Sequence, residues 1–131
     1  MGTTKTYKPQ GYNSLSPYII VQGAQRMEHL LKKIFNAETT RRYDKDDGTV
    51  MHMEVRIDDT ILMIADSSDE YPPNKSLLHV YVPDVDAVFS SAIQHGCQPM
   101  ETPATREGDP DKRGSFIDFS GNVWAIGTQQ S

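Results

Sequence analysis

The chain has 131 residues, the size of one ordinary domain and too few for two. Thirteen Lys and Arg against 18 Asp and Glu leave a net charge of −5, which argues against nucleic acid as the main partner, because phosphate binding needs a basic face. A 37% hydrophobic, 24% charged composition belongs to a globular chain with a core, and the single cysteine, Cys97, excludes an internal disulfide and a thiolate metal cluster.

The first dozen residues, with Gly2, Pro9 and Gly11 and no periodicity, read as a loose arm without the apolar core of a signal peptide. Ser16 to Val21 is short, β-branched and aromatic, which predicts a strand. Ala24, Met27, Leu30, Leu31 and Ile34 then fall at helical spacing. Thr39 to Tyr43 reads as a second strand, and Asp46-Asp47-Gly48 as a hairpin turn. In the third strand, Val50 to Ile57, the residues Met51, Met53, Val55 and Ile57 alternate with Val50, His52, Glu54 and Arg56. Asp58-Asp59 turns the chain into the apolar strand Thr60 to Ala65. The order so far is β-α-β-β-β.

A polar linker at 67–76, broken by Pro72-Pro73, separates this module, about residues 14–66, from a second, about 77–128. Asp66, Asp69 and Glu70 read as solvated loop charge. Leu77 to Val82 predicts a strand. A helix follows, with Asp84 as N-cap, an apolar face of Val85, Val88, Phe89, Ala92 and Ile93, and Gly96 at its end. Gln98 to Thr105 is an edge strand interrupted by Pro99 and Pro103. A polar loop at 106–113 leads into a strand from Gly114 to Phe119, a turn at Ser120-Gly121-Asn122 and a last strand from Val123 to Thr128. The order is again β-α-β-β-β.

A shift of 61 residues places Val21 on Val82, Ala24 on Val85, Met27 on Val88 and Leu31 on Ala92. A shift of 62 places Ile61 on Val123, Leu62 on Trp124 and Ile64 on Ile126. Order, spacing and turn positions agree, so we read a duplication within a single domain. The expected fold class is α+β: two βαβββ modules form a curved mixed sheet around a cleft, with the helices on its convex side. Such clefts are the usual small-molecule sites.

The phrases SPYIIVQGAQRMEHLLKKIF, MHMEVRIDDTILMIAD, LLHVYVPDVDAVFSSAIQHG and FIDFSGNVWAIG together resemble the vicinal oxygen chelate superfamily, which includes glyoxalase I, bleomycin-resistance proteins and extradiol dioxygenases. The likeness is to its small, single-chain, glyoxalase-like branch. It covers residues 14–128, and the D-x-x-G-N-x-W motif at Asp118, Gly121, Asn122 and Trp124 is its most specific part. In metal-using members, the resemblance implies ligands at the start of the first strand and within the last strand of each module. Those positions fall at Ser16, Met63, Leu77 and Ala125, none of which supplies an imidazole or a carboxylate. No metal and no other cofactor is therefore expected. The resemblance also implies a homodimer, with clefts near or across the interface.

Strand alternation puts Ser16, Tyr18 and Ile20 on one face and Leu77, His79 and Tyr81 on the matching face of the second module. Tyr18, Glu54, Tyr81 and Arg113 are the expected ligand-binding residues, with Arg113, in a mobile polar loop, gripping an anionic group. His52 and His79 are the candidate general bases, although a strand histidine serves equally as a hydrogen-bonded structural residue. Trp124 is expected to pack under the helices. Two functions follow. One is capture of a small, aromatic or anionic molecule in a metal-free cleft without chemistry. The other is a lyase or isomerase of the glyoxalase-like type that uses a histidine base, with or without a divalent metal. A structural or regulatory dimer with a vestigial cleft stays open. A cytoplasmic location is expected, with no nucleic-acid and no membrane partner.

Overall fold

The computed structural model describes residues 7–130. Within them the order is β1 (Tyr18–Val21), α1 (Ala24–Phe35), β2 (Glu38–Asp44), β3 (Val50–Ile57), β4 (Thr60–Asp66), β5 (Leu77–Tyr81), α2 (Val85–Gln94), β6 (Gln98–Ala104), β7 (Asp111–Ile117) and β8 (Val123–Gln129). Each module forms a four-stranded mixed sheet. In the first the order is β1-β4-β3-β2, in the second β5-β8-β7-β6. β1 runs parallel to β4, and β5 to β8, because in each module a helix carries the chain back before the two strands pair. The expected α+β class and the duplicated element order are both present. Among the described residues the two sheets share no strand pair.

Each helix covers one face of its sheet. Ile19, Val21, Met53, Val55 and Ile64 meet Met27 and Leu31 of α1 in the first module, and all are buried. In the second, Phe116, Trp124 and Ile126 are fully buried beneath α2. Phe35, the last residue of α1, lies 5.2 Å from the Trp124 ring and 6.3 Å from Phe116, so one helix serves both cores. Trp124 packs as expected. Its indole Nε1–H also donates to Asp118 at 2.8 Å. The other Asp118 oxygen accepts from the backbone N–H groups of Ser120 and Asn122, around Gly121 at φ +89°. The D-x-x-G-N-x-W motif is thus a turn clamp. It fixes the start of β8.

Four expectations are corrected. Asp66 is not solvated. It ends β4, and its Oδ1 accepts from the N–H groups of Gly23 and Ala24 while Oδ2 accepts from Val50 N–H at 2.7 Å. Gly23 stands at the N-cap of α1 with φ +112° and no side chain to cap it, so the carboxylate from β4 does so instead. Arg113 is not in a loop. β7 begins at Asp111, because Asp109 accepts from Asp111 N–H and turns the chain directly into pairing with β8. Met51 points to solvent while Val50 is buried, because the β2–β3 register slips between Tyr43 and Asp44 and leaves Met51 as a bulge. Finally, the arm is tethered from residue 9 onward. Tyr12 N–H donates to Pro9 O, Asn13 Oδ1 accepts from Ile61 N–H and the Tyr12 hydroxyl reaches β3. Residues 1–6 of that arm lie outside the described residues.

The linker also has a local role. Asn74 bonds the outer edge of β1 at three points: Oδ1 accepts from Ile20 N–H, its own N–H donates to Ile20 O, and Nδ2 donates to Tyr18 O. In pairing capacity it stands in for a neighbouring strand.

Candidate functional site

The six expected site residues divide into two sets of three, one on each sheet. Tyr18, His52 and Glu54 lie on the helix-free face of the first sheet. Register places Tyr18 and Glu54 on either side of Met63, and His52 follows two residues before Glu54 on β3. Glu54 is 4% exposed. Its Oε1 accepts from the Tyr12 hydroxyl at 2.6 Å, its Oε2 lies 2.7 Å from His52 Nε2, and the Arg41 guanidinium stands 3.7 Å away. Burial works against the charged form, yet the bonds from Tyr12 and His52 outweigh it and hold this carboxyl below its ordinary range. An ionised Glu54 is an acceptor only, so His52 Nε2 carries the proton and Nδ1 faces the Tyr18 hydroxyl at 2.8 Å. Burial and the Glu54 charge raise the Tyr18 phenol above its usual value, which keeps it protonated. The result is a hydrogen-bonded run from a buried carboxylate to a half-exposed hydroxyl. Tyr43 stacks on His52 at 6.4 Å from the side.

His79, Tyr81 and Arg113 form the second set, on the helix-free face of the other sheet. Arg113 is held at three points. Nε donates to Asp109 at 2.7 Å, Nη2 to Asp111 at 2.8 Å, and Nη1 lies 3.1 Å from His79 Nε2. The bond to Asp109 holds its acidity even lower than usual. Asp111 is 3% exposed, and its Oδ2 also accepts from the Tyr81 hydroxyl at 2.6 Å. That bond raises the Tyr81 phenol. Since His79 Nε2 accepts from Arg113, the free ring nitrogen is Nδ1. Gly127 lies opposite Tyr81 and Arg113 in the register; a Cβ there would stand 3.5 Å from His79 Nε2 and 3.7 Å from Tyr81. A side chain would crowd both rings. Ser115, which pairs with Ala125 beside His79, is 6% exposed, and its hydroxyl has no partner among the described residues.

The two sets do not meet within one chain. No hydrogen bond or ring contact joins them among the described residues. An open groove of about 1030 Å³ takes Tyr81, Asp111 and Arg113 together with Phe35, Asp58 and Val88, and a hollow of about 290 Å³ takes His79 and Tyr81 with Pro17, Leu62 and Trp124. Neither reaches Tyr18, His52 or Glu54. Sequence reasoning missed Tyr12, Asp109 and Asp111. None carried a local signal, because Tyr12 lies in the arm and residues 106–113 read as a polar loop.

No family model matches the chain. Among curated proteins, the uncharacterized protein Mb0911c of Mycobacterium bovis is 28% identical over 87% of this chain and 82% of its own length. Among solved structures, TioX from Micromonospora sp. ML1 matches 88% of this chain and 95% of its own at TM-score 0.72 and 16% identity. FosX, a fosfomycin resistance protein from Listeria monocytogenes solved with Mn(II) and sulfate, matches 89% and 90% at 0.70 and 15%. TnmS3, an antibiotic binding protein from Streptomyces sp. CB03234, matches 89% and 97% at 0.66 and 18%.

The chain shares its fold with these proteins, the fold that its resemblance to the vicinal oxygen chelate superfamily implies.

At the positions where that resemblance implies ligands, the residues of this chain do not fit a divalent metal. Ser16 offers one buried hydroxyl without a partner, Met63 a thioether, and Leu77 and Ala125 no donor. Nearby, His52 and Glu54 turn donor atoms toward each other, and Arg113 occupies Nε2 of His79. Among the described residues no three His, Cys, Asp or Glu side chains converge as a ligand set. No helix among them is long and apolar enough to cross a membrane.

Proposed function

We propose that the protein binds a small molecule in a cleft assembled between the helix-free face of one module and that of the other, contributed by two copies of the chain. The observation that carries this reading is the division of the site. Each face holds a preorganised half, built on one buried carboxylate, Glu54 or Asp111, and neither half is closed by its own chain. Exposed Tyr18, Tyr43, Leu77 and Tyr81 offer aromatic and apolar walls, and Arg113 offers a fixed cation. The ligand is a flat or partly apolar molecule with an anionic group. The likeness to TnmS3 supports binding rather than turnover as the primary role. A cytoplasmic location fits the single buried cysteine, whose thiol burial pushes up to about 11.

The test pairs light scattering, for the dimer, with a thermal-shift and calorimetric screen of anionic aromatic compounds. Arg113→Gln is expected to weaken a hit by about tenfold or more, the scale of one charge-assisted hydrogen bond. A monomer, a screen without hits, or a hit that the protein converts to product would each overturn the proposal.

The run from Glu54 through His52 to Tyr18 favours a second reading, a lyase or isomerase. Here Glu54 fixes the His52 tautomer, His52 Nδ1 takes a proton from a carbon acid, and the protonated Tyr18 donates a hydrogen bond to the enolate oxygen. His52→Ala is then expected to abolish turnover and leave ligand affinity nearly unchanged. Full activity in both His52→Ala and His79→Ala would remove this reading.

A further inference from the structure

Arg26, His29 and Lys33 follow one another at spacings of three and four along α1, which puts them on one helical face. That face borders a hollow of about 250 Å³, completed by His95, Gly96, Cys97 and Phe119. Four of the six arginines, Arg41, Arg42, Arg106 and Arg113, are paired with carboxylates. Arg26 is not. Its guanidinium lies over the Phe119 ring at 4.1 Å, which fixes the group and leaves its N–H edge free. Among the described residues the side chains of Arg26, His29 and Lys33 make no hydrogen bond or ion pair. His95 Nδ1 is tied to Ser91 O at 2.7 Å, which sets the ring and leaves Nε2 open.

No carboxylate lines the hollow. Asp118, next in sequence to the lining residue Phe119, is buried and engaged with Trp124, Asn122 and Ser120. Arg26 and Lys33, unpaired among the described residues and on one helix face beside this concavity, repel each other unless an anion joins them. Arg26, His29 and Lys33 reach it from α1 and His95 from the end of α2, so a group with oxygens on several sides can meet both walls, which suits a tetrahedral phosphate better than a planar carboxylate. The hollow is also small for a whole drug-sized ligand.

We propose that this hollow binds the phosphate group of a small soluble phosphomonoester, at a site separate from the sheet faces. Arg26 is its principal anchor, His29 and His95 line its wall, and Lys33 stands on the ridge shared with the larger groove.

The experiment titrates the intact protein with inorganic phosphate and, separately, glycerol 3-phosphate at constant ionic strength, following the imidazole C–H signals of His29 and His95 by NMR. Saturable shifts of both histidines are expected with each probe. Arg26→Gln is expected to weaken binding about tenfold or more, the scale of a lost charge-assisted hydrogen bond. Arg113→Gln is expected to leave it unchanged, which separates this site from the cleft. Lys33→Gln, at an exposed position, repeats the test if Arg26→Gln does not fold by circular dichroism. Equal shifts with added chloride, unchanged affinity in the folded variant, or binding only to vesicles containing phosphatidic acid would each overturn the proposal.

Discussion

Glu54 shows how a single buried carboxylate organises its surroundings. With Tyr12, His52 and Arg41 around it, the ion is favoured although burial opposes it. A carboxyl held below the ordinary 4.5 contributes stability that is complete above that pH and is lost as pH falls through the depressed value. Glu54→Gln is therefore expected to be less stable at neutral pH and to lose less on acidification between pH 6 and pH 3, as followed by urea midpoints. An acid limb as steep as the unmodified protein's would show that Glu54 is not a main source of the slope. His52 and Glu54 were legible in the sequence because alternation on β3 placed them on one face. Tyr12 was not, because its bond to Glu54 spans 42 residues and no local pattern marks it.

Among the elements, helices and strands were legible wherever apolar spacing had a clear period, and even the caps of α2 followed, with Asp84 accepting from Ala87 N–H. The failures share a cause. Asp66 looked like loop charge because its three donors belong to Gly23, Ala24 and Val50, none of them adjacent. β7 looked like a loop up to Arg113 because Gly108, Pro110 and the charges around them mimic a turn, while pairing with β8 overrode that local preference. Removing the Asp66 carboxylate leaves the start of α1 uncapped and Val50 N–H unpaired. Asp66→Ala is expected to destabilise the fold by ~2–3 kcal/mol, one cap plus one buried donor, measured by urea unfolding. A loss below ~0.5 kcal/mol would mean that water or a neighbour replaces it.

For the whole molecule, the duplication extends to the sites. Tyr18 and His79 occupy matching places opposite Met63 and Ala125, and Glu54 and Ser115 match across the same pairs. One fold has thus been furnished with two different half-sites, a carboxylate–imidazole–phenol run and an arginine clamp. This division was not legible in the sequence, because strand alternation tells which face a residue takes but not how two sheets are set against each other. Phe35 joins the two cores, and we propose that the modules fold as a single domain. Trp124 fluorescence and far-UV circular dichroism are then expected to report one coincident transition. Phe35→Ala is expected to cost ~2–3 kcal/mol, below a full core phenylalanine because Phe35 is only partly buried. Two separated transitions would contradict the proposal.

Asn74 carries a consequence for the fate of the protein in concentrated solution. An uncovered strand edge is a template on which another chain can add its own backbone, the first step toward fibrous aggregates. By bonding Ile20 and Tyr18, one linker side chain and its amide close that template on β1. Asn74→Ala is expected to leave the fold recognisable by circular dichroism yet raise light scattering on storage, and equal scattering would show that the edge is guarded by other means. The linker that divides the modules is thereby also a guard against polymerisation.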